Sequence, residues 1–379
     1  MINLMKCYDF AIIGAGIAGA SVAARLARQA KVLLLEQESA PGYHSTGRSA
    51  ALYSALYGND TITAITRASR AFFDAPPAGF SAYPLLSPRG VLFAGGEADA
   101  QAIAEIARLP LARRMKTTEA LRLVPMLTEQ CAAHCAWEPE AFDVDVHGLH
   151  QGFLRMARAS GADLVCGAGV TDLQRGPDGW RIIAADGEFK ARVVINAAGA
   201  WADRVAQLAG AGALGIQPLR RTAMIIDAGL QVDFSRWPAV IAGDESWYMK
   251  PDAGLLLVSP ADETPTDPCD AQPEELDIAI CVDRIGSRTR LQIKRVVRAW
   301  AGLRSFAPDR TPVVGYDAQL EDFFWLAGQG GYGVQSCPAL SEVAAALALH
   351  QQIPAHILDE GFDAAKVSPR RFAEPRFRR

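Results

Sequence analysis

The chain has 379 residues, of which half are hydrophobic, 21% charged and 8% aromatic, with a formal net charge of −4. This is ordinary globular composition and excludes a disordered, collagen-like or disulfide-stapled chain; the length also exceeds the roughly 250–300 residues at which one core stops growing, so two domains are expected. The only basic block is the tail Arg370–Arg379, which argues against a nucleic-acid partner, and no run approaches the roughly 18 apolar residues of a membrane span. Seven dispersed cysteines (Cys7, Cys131, Cys135, Cys166, Cys269, Cys281 and Cys337) suit a reducing compartment. The start, Met1–Cys7, carries no apolar leader pattern, so a cytoplasmic location is expected.

In chain order, Tyr8–Ile13 is a run of strand formers ending on Gly14-Ala15-Gly16-Ile17-Ala18-Gly19. The segment Ala20–Arg28 has helical composition, and Lys31–Leu35 is a second apolar run ending at Glu36. Strand, GxGxxG, helix, strand and acid in this order predict a βαβ dinucleotide site, with pyrophosphate at the helix N-terminus. Gly14 serves the tight turn, Gly16 the approach of phosphate and Gly19 the packing of helix on strand. Glu36 is placed to accept hydrogen bonds from a ribose, which argues against the 2′-phosphate of NADP.

Next comes Pro41–Ala51, a small-residue polar loop containing Ser45, Thr46, Arg48, Ser49 and Ala50. It is suited to run along a flavin's ribityl and pyrophosphate, although a solvated surface loop is the plain alternative. The segment Thr117–Arg122 reads as helix, and Thr222–Ile226 and Gly254–Val258 as strands. Pro260–Glu275, with four prolines, is an expected exposed loop. Val193–Asn196 is a buried-strand run that breaks into Ala197-Ala198-Gly199-Ala200-Trp201, a second backbone approach to the same dinucleotide and a reason to prefer FAD over NAD. Finally, Phe323–Ala327 leads into the glycine-rich Gly328–Gln335 and a helix over Ser341–Leu349, aiming another positive dipole end at the cofactor.

Gly14–Gly19, Glu36, Tyr43–Ala51, Ala197–Trp201, Trp300–Phe306 and Gly328–Gln335 together resemble the D-amino acid oxidase/glycine oxidase superfamily of FAD enzymes. The sequence is most similar to the bacterial FAD-dependent D-arginine dehydrogenases, nearly end to end, including Ser69–Asp74, Leu85–Arg89, Glu245–Gly254 and Ser368–Arg371. The resemblance implies an α/β fold: a Rossmann-like (GR2-type) FAD-binding domain over 1–79, 139–215 and 301–379, with an inserted mixed α+β substrate domain over 80–138 and 216–300. It implies non-covalent FAD, with Ile17, Ala18, Gln37, Val170, Gly302, Arg304, Gly330, Gly331, Tyr332, Gly333 and Gln335 joining the cofactor residues named above.

The resemblance further implies that Arg221, Arg304 and Tyr248 hold a substrate α-carboxylate, a task suited to guanidinium forks, although Arg220 and Arg221 are interchangeable at this level. Tyr57 matches a tyrosine on a mobile loop over the site, here Ala50–Gly58, while Gly331 and Gln335 match positions beside flavin and substrate. A family histidine is replaced by Leu52, and the glutamate that receives the arginine guanidinium by Val91. Losing that carboxylate disfavours a cationic side chain, so neutral or hydrophobic amino acid substrates are expected.

The implied reaction is hydride transfer from substrate Cα to flavin N5, giving an imino acid that hydrolyses to a 2-oxo acid and ammonia. No general base stands out, and the electron acceptor is a quinone or oxygen. The tail Arg370–Arg379 offers a contact to anionic lipid at the inner membrane face. Two alternatives stand beside this reading: an oxidase of glycine, sarcosine or another secondary amine, and a flavin-binding regulator without turnover. Cys131, His134 and Cys135 lack a second pair at zinc-like spacing, so no metal is expected. His147 and His150 are read as structural, and Cys337 as a packed residue rather than a flavin attachment point.

Overall fold

A computed structural model describes residues 6–230 and 232–372; most of the basic tail therefore lies outside the described residues. The sequence begins its structure with β1 (Cys7–Ile13), α1 (Ile17–Leu26) and β2 (Val32–Leu35). Five strands run parallel in the order Asp163–Val165, β2, β1, Gly187–Asn196, Phe323–Ala327. Antiparallel strands Val170–Gly176, Gly179–Ala184 and Val313–Tyr316 complete this sheet of eight.

Alternation along these strands builds two cores. Phe10, Ile12, Val32, Leu34, Ile195 and Phe324 face α1 and the helices packed with it, while Ala11, Ile13, Leu33, Leu35, Val194 and Trp325 fill the opposite face. Both faces are covered, so the strands are apolar throughout. Each large side chain fully removed from water contributes about 1.5–3 kcal/mol, which fixes the register on which the glycine loop depends.

A second sheet of nine strands has the order Thr264–Pro265, Gln217–Asp227, Leu255–Ser259, Tyr248–Asp252, Ala239–Ala242, Val91–Gly95, His134–Glu138, Arg113–Met115, with Arg295–Phe306 also paired to Gln217–Asp227. Its pairs are antiparallel apart from Ala239–Ala242 with Val91–Gly95. Its core includes Met224, Val240, Met249, Val258, Cys281 and Ile285. A small third sheet joins β3 (Leu52–Tyr53), Phe142–Val144 and Leu86–Pro88.

Several elements differ from expectation. Within 50–58, read as a loop, β3 pairs with Phe142–Val144. Pro260–Glu275 is largely exposed, as expected, but carries two anchors that were not: Thr264–Pro265 pairs with Gln217–Asp227, and Ala271 is buried. The helix Glu275–Arg288 was not among the expected elements. The boundary drawn at 300/301 falls inside the strand Arg295–Phe306, all of which belongs to the second sheet. The C-terminal helix begins at Gly333, eight residues before the expected start, and continues through Pro338.

Candidate active site

Where β1 ends and α1 begins, the chain lines a cavity of about 700 Å³, within the range of about 300–1,000 Å³ usual for cofactor sites. Of the residues expected to hold the dinucleotide, all but Gly19, Tyr332 and Gln335 line it. Gly19 works from behind: a Cβ there would lie 1.8 Å from the Gly14 carbonyl oxygen, so only glycine lets α1 pack on the end of β1. The Tyr332 side chain is buried with Ile62 and Phe306, and Tyr332 caps the helix Gly333–Ala348 from the backbone.

The cavity is pre-organised by hydrogen bonds that the sequence did not reveal. Glu36, nearly buried, accepts the Ala15 N–H at 2.8 Å on one carboxylate oxygen and the Glu38 N–H at 3.0 Å on the other. Each oxygen keeps acceptor capacity for a ligand hydroxyl. Thr46 Oγ1 accepts the Ile17 N–H at 3.0 Å, capping α1 from a distant loop. The His150 ring meets the Ala15 carbonyl at 2.9 Å; burial lowers its pKa, with that carbonyl pulling the other way. Arg48 ties its loop to distant segments: its guanidinium donates to the Ala271 and Ala301 carbonyls at 2.8 and 2.9 Å and pairs with Asp270. Ser45 donates to the Leu303 carbonyl at 2.6 Å.

The N-termini of α1 and of the helix Gly333–Ala348 both border this cavity, with Gly16 and Gly333 in its lining. Helix N-termini favour anionic groups. The glycine cradle, the acceptor capacity of Glu36 and these two helix ends are what a flavin dinucleotide requires.

A second cavity, about 130 Å³, shares Ser49, Ala50, Arg221, Tyr248, Arg304 and Gly331 with the first. Neighbouring residues on a strand face opposite ways, and this separates the two adjacent arginines. Arg220 points away and pairs with Asp277 at 3.0 Å and with Glu274. Arg221 faces both cavities, donating to the Asp262 carbonyl at 2.7 Å and to Glu263 at 3.1 Å. Burial and then the nearby Arg304 charge push its pKa down.

Arg304 donates to the Tyr57 hydroxyl at 3.1 Å, and among the described residues no carboxylate pairs with it. Burial opposes its charge, but the Tyr57 and Tyr248 phenols outweigh that and hold its pKa above the usual value. Gly331 lets this guanidinium lie across the junction, since a Cβ there would come within 2.9 Å of Arg304 Nη1.

One expected role is corrected here. Val91 is fully buried beneath the smaller cavity, packed with Phe93, Ala136, Ala141 and Ala239, and does not line it. The wall is made by Leu52, Leu56, Phe93, Ile106, Ala239 and Ile241, most of them on strands whose pairing sequence alone does not show. Gln335 lines the smaller cavity, but its amide is engaged by the chain: Oε1 accepts the Ser54 N–H at 3.2 Å, and Nε2 donates to the Ser54 carbonyl and to Thr66 Oγ1 at 3.2 and 3.0 Å. Lys250, buried in the same wall, pairs with Asp143 at 2.7 Å, which also holds Arg89. Cys337 is packed in the first core, and Cys131 and Cys135 in the second sheet's core.

The family model for FAD-dependent oxidoreductases, DAO, matches residues 9–347. The chain belongs to the DAO family. It is 22% identical to a glycine oxidase of Bacillus licheniformis over 356 residues, covering 91% of this chain and 94% of the relative. It is 27% identical to hydrogen cyanide synthase subunit HcnC of Pseudomonas aeruginosa over 231 residues, which is 58% of this chain and 52% of the relative. The chain thus spans about half of that relative, and 36% of an FAD-dependent oxidoreductase domain-containing protein of Xenopus laevis.

Among solved structures, glycine oxidase from Geobacillus kaustophilus superposes with a TM-score of 0.81 at 22% identity, covering 96% of this chain and 98% of that one. The FAD-bound L-α-glycerophosphate oxidase from Mycoplasma pneumoniae gives 0.80 at 18% identity, covering 91% and 95%. The fold is the mixed α/β fold of these flavoenzymes, and the cofactor is FAD. No described helix of this DAO protein is long and apolar enough to cross a membrane.

Proposed function

We propose that this DAO-family protein is an FAD-dependent D-amino acid dehydrogenase whose substrates carry neutral or hydrophobic side chains. The observation that carries the reading is Arg304, a charged guanidinium with no carboxylate partner among the described residues, placed where the cofactor cavity meets a small apolar-walled one. Its charge is kept by the surrounding phenols rather than by a carboxylate, which leaves its fork open to an incoming carboxylate. The adjacent Arg221 makes the demand for an anion stronger. Bound in the larger cavity, FAD supplies the hydride acceptor.

The chain's own residues do the rest. Arg304 and Arg221 grip the α-carboxylate, a bidentate task for which lysine is no substitute. Tyr248, which lines both cavities, and Tyr57, through its bond to Arg304, fix the orientation of the α-carbon. Orientation of this kind is worth several kcal/mol of barrier. Leu52, Leu56, Phe93 and Ile241 exclude water and receive the side chain. The preference for the D-isomer rests on the resemblance to D-arginine dehydrogenases. Reoxidation by a quinone or oxygen and a cytoplasmic site of action belong to the same proposal.

The test is anaerobic mixing of the flavin-loaded protein with individual D- and L-amino acids while the flavin absorbance is followed. Bleaching by D-leucine, D-methionine or D-phenylalanine, with little from D-arginine or L-isomers, is expected; fastest bleaching by D-arginine overturns the side-chain assignment. A second reading, oxidation of glycine or a secondary amine such as sarcosine, is favoured by the small volume of the second cavity and by the end-to-end likeness to glycine oxidase. Bleaching by sarcosine with hydrogen peroxide formed in air would select it.

A further inference from the structure

Beneath the smaller cavity lies a carboxylate that the reading above does not use. Glu138 ends the strand His134–Glu138, is fully buried, and forms no ion pair with any described Lys, Arg or His. Its two oxygens are turned toward the segment that follows β3. One accepts the Ser54 hydroxyl at 2.7 Å and the other the Ala55 N–H at 3.1 Å. The Ser54 hydroxyl oxygen in turn accepts the Leu56 N–H at 3.3 Å.

Ser54 is gripped from the other side as well, since the Gln335 amide holds both its N–H and its carbonyl and is itself tied to Thr66 of α2 (Asp60–Asp74). A single residue thus joins the second sheet, through Glu138, to the C-terminal helix, through Gln335. Ser54, Leu56 and Tyr57 all line the smaller cavity, and Tyr57 meets Arg304.

We propose that Glu138 is a positioning residue, which clamps Ser54–Leu56 from below and so sets the Tyr57 hydroxyl against Arg304. An apolar residue or a neutral amide would fill the space at lower desolvation cost; what the carboxylate alone supplies is two acceptors for two adjacent donors, with no hydrogen to dispose of. The proposal rests on the substrate reading only in taking Tyr57 and Arg304 as part of the binding face.

Ionisation is the natural control of such a clamp. Burial raises the Glu138 pKa to about 7, with the Ser54, Ala55 and Leu56 hydrogen bonds pulling it down. Of the groups around it, Glu140 on its own turn raises it further and Tyr53 on β3 is titratable, whereas Gln335 and the paired Val91 bring no charge. Above pH 7 the carboxylate is ionised and both acceptors are available. Below pH 7 a proton occupies one of them and the clamp loosens.

The experiment compares wild-type, Glu138→Gln, Glu138→Asp and Ser54→Ala holoenzymes. Hydrogen exchange of a peptide spanning 52–58 is followed at pH 6, 7 and 8 after correction for intrinsic rates. Wild-type protection should rise as pH passes 7. In Glu138→Gln, exchange there should be about tenfold faster at pH 8 and lose its pH dependence, with partial recovery in Glu138→Asp. With the amino acid that bleaches the flavin fastest, Glu138→Gln should raise KM about tenfold with kcat less affected, and the kcat/KM limb near pH 7 should vanish.

Unchanged exchange, or faster exchange with unchanged kinetics, overturns the proposal. If no amino acid reduces the flavin, the functional reading fails separately. The kinetic arm is then replaced by benzoate titration followed through the flavin spectrum, where unchanged benzoate affinity in Glu138→Gln overturns the proposal. If Glu138→Gln does not fold, Ser54→Ala answers the same questions from the donor side.

Discussion

Two adjacent arginines show what a single residue can and cannot disclose. Arg220 and Arg221 are chemically identical and one peptide apart, yet one is spent on Glu274 and Asp277 while the other faces the cavities. The facing direction follows from the pairing of Gln217–Asp227 with Arg295–Phe306, a contact between segments some eighty residues apart. Arg304 came to the site through the resemblance, and the structure puts it where the two cavities meet. Replacing Arg304 with Ala is expected to lower kcat/KM about a hundredfold or more, since removing one partner of a desolvated, hydrogen-bonded charge pair costs about 2–5 kcal/mol. Arg304→Lys should recover little of this. Steady-state kinetics with flavin content held equal decides it. Val91 went the other way, sealed in a core where the resemblance assigns a ligand contact, while Gln335 lines the smaller cavity as expected but with its amide engaged by Ser54 and Thr66. Such engagement depends on partners far along the chain and leaves no local trace.

At the scale of elements, the βαβ start was readable because its information is local: apolar strands, glycines at fixed spacing and an acid at the end of β2. Gly19 is its most sensitive point. Gly19→Ala would force the new methyl into the Gly14 carbonyl, separating α1 from β1. A loss of about 1–3 kcal/mol is expected together with loss of flavin, measured as a lower denaturation midpoint and a colourless protein after purification. The helix Gly333–Ala348 was under-read because Gly333 and Pro338 both signal a break. Pro338 is the sixth residue of this helix, past its free first turn, and the Ser69 hydroxyl accepts the neighbouring Ala339 N–H at 3.1 Å where the ladder is interrupted. The helix Glu275–Arg288 was missed because only Asp277, Cys281 and Ile285 are buried, a stripe too narrow for periodicity to register beside a proline-rich neighbour. The contacts on Ser54, just after β3, were invisible for a third reason, as Ser54, Glu138 and Gln335 are separated by 84 and 197 positions or more and meet only once both sheets are in place.

For the whole molecule, the nucleotide-binding crevice was legible and the second sheet only in part: Thr222–Ile226 and Gly254–Val258 read as strands and fall on Gln217–Asp227 and Leu255–Ser259, but the order of the sheet was hidden, since its pairs are almost all non-local and antiparallel. The larger cavity draws its lining from residues within 13–18, from the 197–201 turn and from residues within 329–334, so FAD bound there would touch segments more than 300 residues apart at once. Removing FAD should therefore lower the stability of the protein as a whole; restoring it at a hundred times its Kd should return about 2.7 kcal/mol. Thermal melts across an FAD titration test this, and a melting temperature independent of FAD would contradict it. The same arrangement has a consequence for synthesis in the cell. A chain emerging from the ribosome cannot close the crevice until residues 329–334 have appeared, so the vitamin-derived cofactor would be captured only after that point of synthesis. Riboflavin shortage would then be felt first by quality-control proteases, as a shortened protein half-life rather than a store of dormant enzyme awaiting its flavin.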